Sequence, residues 1–342
     1  MARASHTGPT FPGAVRAARY ARRVMWPAAQ DPLPGLEIAA DEDPELDRVA
    51  GHLLGLDPGG ARMAAALRRT IDMLLDGQHT GRYRWDQLHK TEKTYAGTLV
   101  EIGLQREFGF TDGAALDYSI AGTDVDCKFS QRLGGWMVPP EAAAKLLLLV
   151  WASDEESRWC AGLVRAAEQN LRTAANRDLK RGLSETGMGA VRWLFRGAPL
   201  AENALLHLPP RTVTAILAEP SGQHRVNELF RRALGRRVSR AVVATAARQD
   251  DYMKRVRAGG GARDQLRGEG IVIFGDYRSH REAAAALGLP PPGPGEFVSA
   301  RLVPLSMRNG GCGAPAVHLD GAGWVVAEPG DPVVPAPRLP PV

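Results

Sequence analysis

The stretch Leu116-Asp117-Tyr118-Ser119-Ile120, then Ala121 to Asp124, then Val125-Asp126-Cys127-Lys128-Phe129 decides how this chain reads. It reads as two short strands joined by a tight turn, with one acid at the start of the first strand. The second strand carries an acid and a lysine two positions apart. Side chains alternate across a strand, so Asp126 and Lys128 share one face and Cys127 takes the other. Two carboxylates beside an ammonium on a rigid hairpin suit a hard divalent cation and the water it activates. Acid-x-Lys alone also occurs on solvated strand edges, so context has to separate the two readings. Val125 and Phe129 flank the pair and imply partial burial, where charged groups need partners or a task.

Working upstream, Thr94 to Phe108 reads as a helix. Thr94, Thr98, Glu101 and Gln105 fall on one face at i, i+4, i+7 and i+11, while Leu99, Val100, Ile102 and Leu104 cover the rest. The polar stripe faces either solvent or a polar cleft; in the second case Glu101 is a third carboxylate for the same metal. Residues 44–78 read as two helices, carrying Val49, Leu53 and Leu54, then Met63, Leu67, Ile71, Leu74 and Leu75. Between these and the Glu101 helix, His89, Lys90 and Lys93 place cations at a helix start, a setting that favours phosphate oxygens. Downstream, the apolar run from Leu146 to Trp151 suits a strand covered on both faces, and Arg158 to Arg165 reads as its partner. The order describes an α/β sandwich around a mixed sheet. A helical stretch is expected from there to about Leu194, and Phe195 to Pro199 is the expected linker.

The second half has another signature. Val226, Leu229, Phe230, Ala233 and Leu234 mark an amphipathic helix, Gly235 a C′ residue, and Ser239 the N-cap of a second helix to about Val256. That is a helix-turn-helix layout. Gly259 to Gly261, Arg267 to Gly270 and a strand from Ile271 to Phe274 would form a wing. Between Ser221 and Gly270 stand twelve Lys/Arg and five Asp/Glu, an electrostatic footprint for a nucleic-acid backbone. Candidate DNA contacts there are Arg231, Arg232, Arg236, Arg237, Arg240, Arg248, Lys254, Arg255 and Arg257.

The 342 residues fit about two domains at roughly 150 each. The net charge of +5 supports a polyanionic partner, although the arginine, alanine, glycine and proline bias also fits a GC-rich genome. Cys127, Cys160 and Cys312 are few and far apart, which fits a reducing, cytoplasmic setting without a disulfide framework. No apolar run is long enough for a membrane span. Residues 1–30 hold five arginines and no acid, and the next thirty hold eight acids and one arginine. Residues 1–43 read as an irregular arm, in which residues 1–24 are either native or upstream sequence ahead of a start at Met25. The proline-rich tail, Pro329 to Pro341, reads as extended or disordered.

With those residues in view, the chain resembles the NaeI-type (type IIE) restriction endonucleases. The resemblance runs from roughly Asp43 to Pro335. It rests on the blocks DGQHTGRYRWDQLHKTEKT, GTLVEIGLQREF, DYSIAGTDVDCKFS, WASDEESRWCAGLV, TAANRDLKR, VNELFRRALGR and RQDDYMKRVRAGGGAR. It implies a PD-(D/E)XK nuclease core over 44–195, and a mainly helical, CAP-like winged helix-turn-helix domain binding effector DNA over 200–335. It also implies a homodimer cutting double-stranded DNA with Mg²⁺ at a GC-rich palindrome such as GCCGGC, activated by a second copy of the site. Carried onto matching positions, the site would be Glu101, Asp117, Asp126 and Lys128, with the three acids on the metal. A repair or nicking endonuclease, or a non-enzymatic DNA-binding regulator, are the alternatives.

Overall fold

A computed structural model describes residues 43–308 and 313–340. The expectations for the arm, Met25, Cys312 and Pro341 lie outside them, except for Asp43. From Asp43 onward the chain forms one compact unit.

Helix α1 (Pro44–Leu56) begins at an Asp-Pro pair. Pro44 supplies the preset φ of a first helical residue, and the Asp43 carboxylate accepts from the Leu46 N–H at 3.0 Å. Arg165 grips the same carboxylate and holds it below the usual range. Helices α2 (Ala61–Leu75) and α3 (Gly77–Thr80) follow. Helix α4 spans Lys90–Phe108, one turn earlier than Thr94, because the Glu92 carboxylate accepts from the His89 N–H at 2.8 Å and closes the first turn.

Next come β1 (Tyr118–Ile120), β2 (Thr123–Ser130), β3 (Met137–Val138), β4 (Leu146–Ser153), β5 (Arg158–Arg165), β6 (Leu171–Ala175), β7 (Arg181–Leu183), α5 (Glu185–Gly189) and β8 (Arg192–Pro199). The main sheet runs β1-β2-β4-β5-β8. β2 and β4 are parallel, and the other pairs are antiparallel. The sheet is therefore mixed and flanked by helices, as expected. Leu146 to Ala152 are buried without exception. Leu146, Leu148 and Val150 join Val125 and Cys127 against α1, α2 and α4. At about 1.5–3 kcal/mol per large apolar side chain, this face is the main source of cohesion. On the opposite face, where Leu147 and Leu149 pair with Asp126 and Lys128, the β2–β4 crossover brings Trp136, whose indole N–H donates to the Val150 carbonyl at 2.8 Å. A smaller sheet, β3-β7-β6, grows from that crossover.

Two expectations fail here. No helix runs to Leu194: the segment is the β6–β7 hairpin, the one-turn α5 and the start of β8. Phe195 to Pro199 is no linker but the second half of β8, paired to β5. Gly197, at φ 62°, takes the left-handed turn that a bulged edge strand needs, and its N–H reaches the Cys160 sulfur at 3.1 Å.

Helices α6 (Ala204–His207), α7 (Pro210–Ala218) and α8 (Gly222–Arg232) lead to β9 (Arg237–Ser239), α9 (Arg240–Ala247), α10 (Ala262–Gln265), β10 (Ile271–Gly275), α11 (Arg278–Ala286), β11 (Glu296–Pro304), β12 (Ala316–Leu319) and β13 (Ala322–Val326). Ser239 caps α9 through the Val242 N–H. That helix ends at Ala247, well short of Val256, because Arg248 turns left-handed at φ 52°. A strand, β9, lies between α8 and α9 where a bare turn was expected. The segment 257–270 holds helical turns and no wing strand, since the Asp264 carboxylate gathers the Gly260 N–H and bends the glycines into a loop. The strand at Ile271 is present. β11 pairs with both β9 and β10, then with β13. Ile271 and Ile273 face α8 and α9, while Val272 and Phe274 face α11, a clean strand alternation. The tail runs without helix or strand and is held where Ala336 and Arg267 exchange main-chain and guanidinium contacts.

Candidate active site

The hairpin β1–β2 holds the site. Tyr118 pairs with Val125, and the Ala121–Gly122 turn has both residues at positive φ, so register and turn are fixed together. That register sets Asp117 opposite Asp126. The Asp117 carboxylate accepts from the Cys127 N–H at 2.7 Å. Lys128 Nζ lies 2.6 Å from Asp126 Oδ2 and 3.9 Å from Asp117 Oδ2. The ammonium thus bridges both acids on the face foreseen for Asp126 and Lys128. Burial pushes the Asp126 carboxyl up, with Lys128 opposing.

Glu101 comes from the polar stripe of α4, and its carboxyl is raised first by burial and then by the charge of Asp117. Thr94 and Thr98 are exposed and Glu101 and Gln105 half-buried, so the stripe opens to solvent at one end and turns toward the hairpin at the other. The link between helix and hairpin is Tyr118. It is fully buried, and its hydroxyl donates to the Glu101 carbonyl at 2.7 Å. Sequence reasoning missed this contact; a tyrosine among apolar strand residues, needing a partner for its hydroxyl, was the available signal. Cys127 points into the core as expected, and burial pushes its thiol up to about 12, far from a thiolate nucleophile. Glu141, in the crossover, was also missed: its charge helps raise Asp126.

Among the described residues, no three Asp, Glu, His or Cys groups stand ready around one cation position. The donor set nonetheless fits a hard divalent ion. Glu101, Asp117 and Asp126 are oxygen donors; the charge of Asp117 helps raise Glu101 and Asp126, while the single ammonium of Lys128 partly balances them.

The expected DNA contacts divide. His89 and Lys90 are exposed at the start of α4, and Lys93 is half-buried one turn on. Arg231 binds Glu228 and Glu269, Arg232 binds Glu228, Arg236 binds Glu202 and Arg237 binds Glu296. Lys254 and Arg255 lie by Asp251. Arg240, Arg248 and Arg257 are exposed and have no carboxylate partner among the described residues. Arg248 packs against Gly81, and Thr245 against Gly77, so closely that a Cβ at either glycine would overlap them. Much of the basic surplus therefore meets acids of the protein itself.

No helix among the described residues is long and apolar enough to cross a membrane. Residues 47–335 match the family model described as restriction endonuclease NaeI. The type II restriction enzyme NaeI of Lentzea aerocolonigenes is 51% identical over 309 residues, spanning 88% of this chain and 96% of that relative. A mixed sheet whose hairpin presents Asp117, Asp126 and Lys128, within a chain matched over nearly its whole described length, leaves one conclusion: the chain belongs to the NaeI family of type II restriction endonucleases.

Proposed function

We propose that this chain is a Mg²⁺-dependent type IIE endonuclease. It would cut both strands of a short GC-rich palindrome of the GCCGGC kind and be activated by a second copy of the site. It works as a homodimer in the cytoplasm. The nuclease core is a PD-(D/E)XK unit over 44–195, with Glu101, Asp117, Asp126 and Lys128 as its site. Glu101, Asp117 and Asp126 would hold Mg²⁺, which when bound supplies Lewis acidity toward a phosphate oxygen and acidifies a water. Lys128 keeps a positive charge on the strand face where a scissile phosphate would lie, to steady its oxygens or the attacking water. Cys127, turned away, only holds Asp117 through its N–H. The observation that carries this reading is the Lys128 bridge between Asp126 and Asp117 on one hairpin.

The second half, 200–335, is read as a winged-helix DNA-binding domain for the effector copy. This is supported by α8, β9, α9 and α10 followed by β10 and β11, with β9 and β10 both laid along β11. On this reading Arg240, Arg248 and Arg257 are its free cations, and the carboxylate-bound Arg231, Arg232, Arg236, Arg237, Lys254 and Arg255 exchange partners or only frame the surface. His89, Lys90 and Lys93 serve the substrate copy.

The test is digestion of genomic-size DNA with Mg²⁺ and sequencing of the fragment ends. Recurrent ends at one word are expected. Asp126→Asn should lower cleavage on the order of 10²-fold or more while DNA binding persists. Random ends, or an Asp126→Asn protein that cuts at the normal rate, would overturn the reading.

A further inference from the structure

The tip of the β6–β7 hairpin is held rigid although nothing packs against it. Leu171 and Leu183 bury the base of the ribbon, but every residue from Arg172 to Lys180 is exposed, so its outer part buries no core. Its tip is nonetheless locked. The Asn176 side-chain oxygen accepts from the N–H groups of Asp178 and Lys180, both at 2.9 Å, and Leu179 N–H donates to the Asn176 carbonyl at 3.0 Å. Leu179 completes the turn at φ 60°. The base is locked as well. Arg181 binds both Glu168 oxygens at 2.8 Å, and Arg172 donates to the Leu183 carbonyl at 3.0 Å. A tip held this rigidly outside any core is stabilised for contact with something else.

Three features define that partner. First, Thr173, Ala174 and Ala175 keep the hairpin slim, and beyond Arg181, where β3 stops, it is a two-stranded ribbon of the kind that fits the DNA major groove, about 12 Å wide. Second, the tip chemistry is that of base edges. The Arg177 side chain is 97% exposed, with Asp178 beside it at 3.8 Å. A carboxylate at the tip would repel a phosphate, but it accepts from a cytosine amino group while arginine takes guanine O6 and N7. Lys180 has no carboxylate partner among the described residues and suits the backbone. Third, the ribbon starts beside the site. Ala166, just before it, exchanges main-chain hydrogen bonds with Ala144 and Lys145, at the end of the crossover that carries Glu141 toward Asp126. β3 of the same crossover pairs with β7. β6 sets five residues against three of β7, so the ribbon is bulged and its tip projects from Arg181, the residue that β3 of the crossover holds through Val138.

We propose that the β6–β7 hairpin enters the major groove of the substrate duplex, with Arg177 and Asp178 reading one G·C pair and Lys180 on a phosphate. This rests on the nuclease reading above and adds the element that chooses the word.

The test uses the full chain and duplexes carrying the word found at the fragment ends, plus every single-base variant of it. Wild-type protein that yields no fragments refutes the nuclease reading itself and is recognised before any variant is compared. In a cutting enzyme, Arg177→Ala should lose about 10- to 100-fold on the word and relax preference at one G·C pair per half-site. Arg177→Lys, which keeps the charge, should relax it too. Lys180→Ala should weaken binding on all sequences alike and lower the salt slope by about one. Melting should not move, since these side chains are exposed. Arg177 variants that slow cleavage without changing base preference, or that cut every duplex at wild-type ratios, overturn the proposal.

Discussion

Tyr118 shows what one residue contributes. Its hydroxyl joins the strand that follows Asp117 to the helix turn that bears Glu101. Tyr118→Phe keeps the ring in the core but leaves the Glu101 carbonyl without that donor. A loss of about 1 kcal/mol in unfolding free energy is expected, together with a fall in cleavage rate larger than any change in DNA affinity. Denaturant unfolding and single-turnover cleavage on the same preparation check this. Equal rates for the two proteins would mean that the peg does not set the distance between the acids. At this scale the sequence was legible where chemistry forced it. Asp126 and Lys128 share a face because strand side chains alternate, and no other arrangement of that pentapeptide was available. Tyr118 and Glu141 act through distant partners, Glu101 and Asp126, and no local pattern marks such contacts.

At the scale of elements, legibility tracks burial. α1, α2 and α4 were readable because each buries an apolar face of helical period, and β4 because it is an unbroken apolar run buried on both faces, with β5 beside it. The β6–β7 hairpin was read as helix because its segment carries no strand alternation and its Arg and Ala residues favour helix by propensity. The Asn176 side-chain turn decided otherwise, and a local hydrogen bond of that kind outweighs weak propensity. Phe195 to Pro199, the second half of β8, was taken for a linker because its glycine and proline, which end ordinary strands, here make an edge strand with a bulge. α9 was read too long because hydrophobic periodicity continues past Ala247 while the backbone reverses at Arg248. The contact of α3 with α9 gives an element-scale prediction. A Cβ at Gly77 would stand 2.0 Å from Thr245 Oγ1. Gly77→Ala should cost about 1–3 kcal/mol, and adding Thr245→Ala should return part of it in a double-mutant cycle. Additive losses would show that the two helices do not press on each other there.

The molecule as a whole carries a proton-linked stability term at His280. The ring is 3% exposed and accepts from the Gly275 N–H through Nδ1 at 3.1 Å. Burial, then the nearby Arg263 charge, lower its pKa from 6.5 to about 4. The folded value lies below the unfolded one, so the unfolded chain takes the extra proton between these limits. The full contribution is present above pH 6.5 and is lost as pH falls toward 4, on the order of 3 kcal/mol in total. Melting temperatures of wild type and His280→Gln between pH 7 and 4.5 check it: the wild-type curve should fall more steeply. Parallel curves would remove His280 as the source.

The central strand has a further consequence. β4 is sealed at its edges by β2 and β5 and on its faces by the crossover and by α1, α2 and α4. On the ribosome or after dilution from denaturant, β5 can zip onto β4 across a four-residue turn, but the parallel edge waits for the long connection to close. Until then Leu146 to Ala152 presents an uncharged, proline-free, strand-prone template to neighbouring chains. Yield on refolding is therefore governed by protein concentration, and a chaperone that shields this one segment would rescue it.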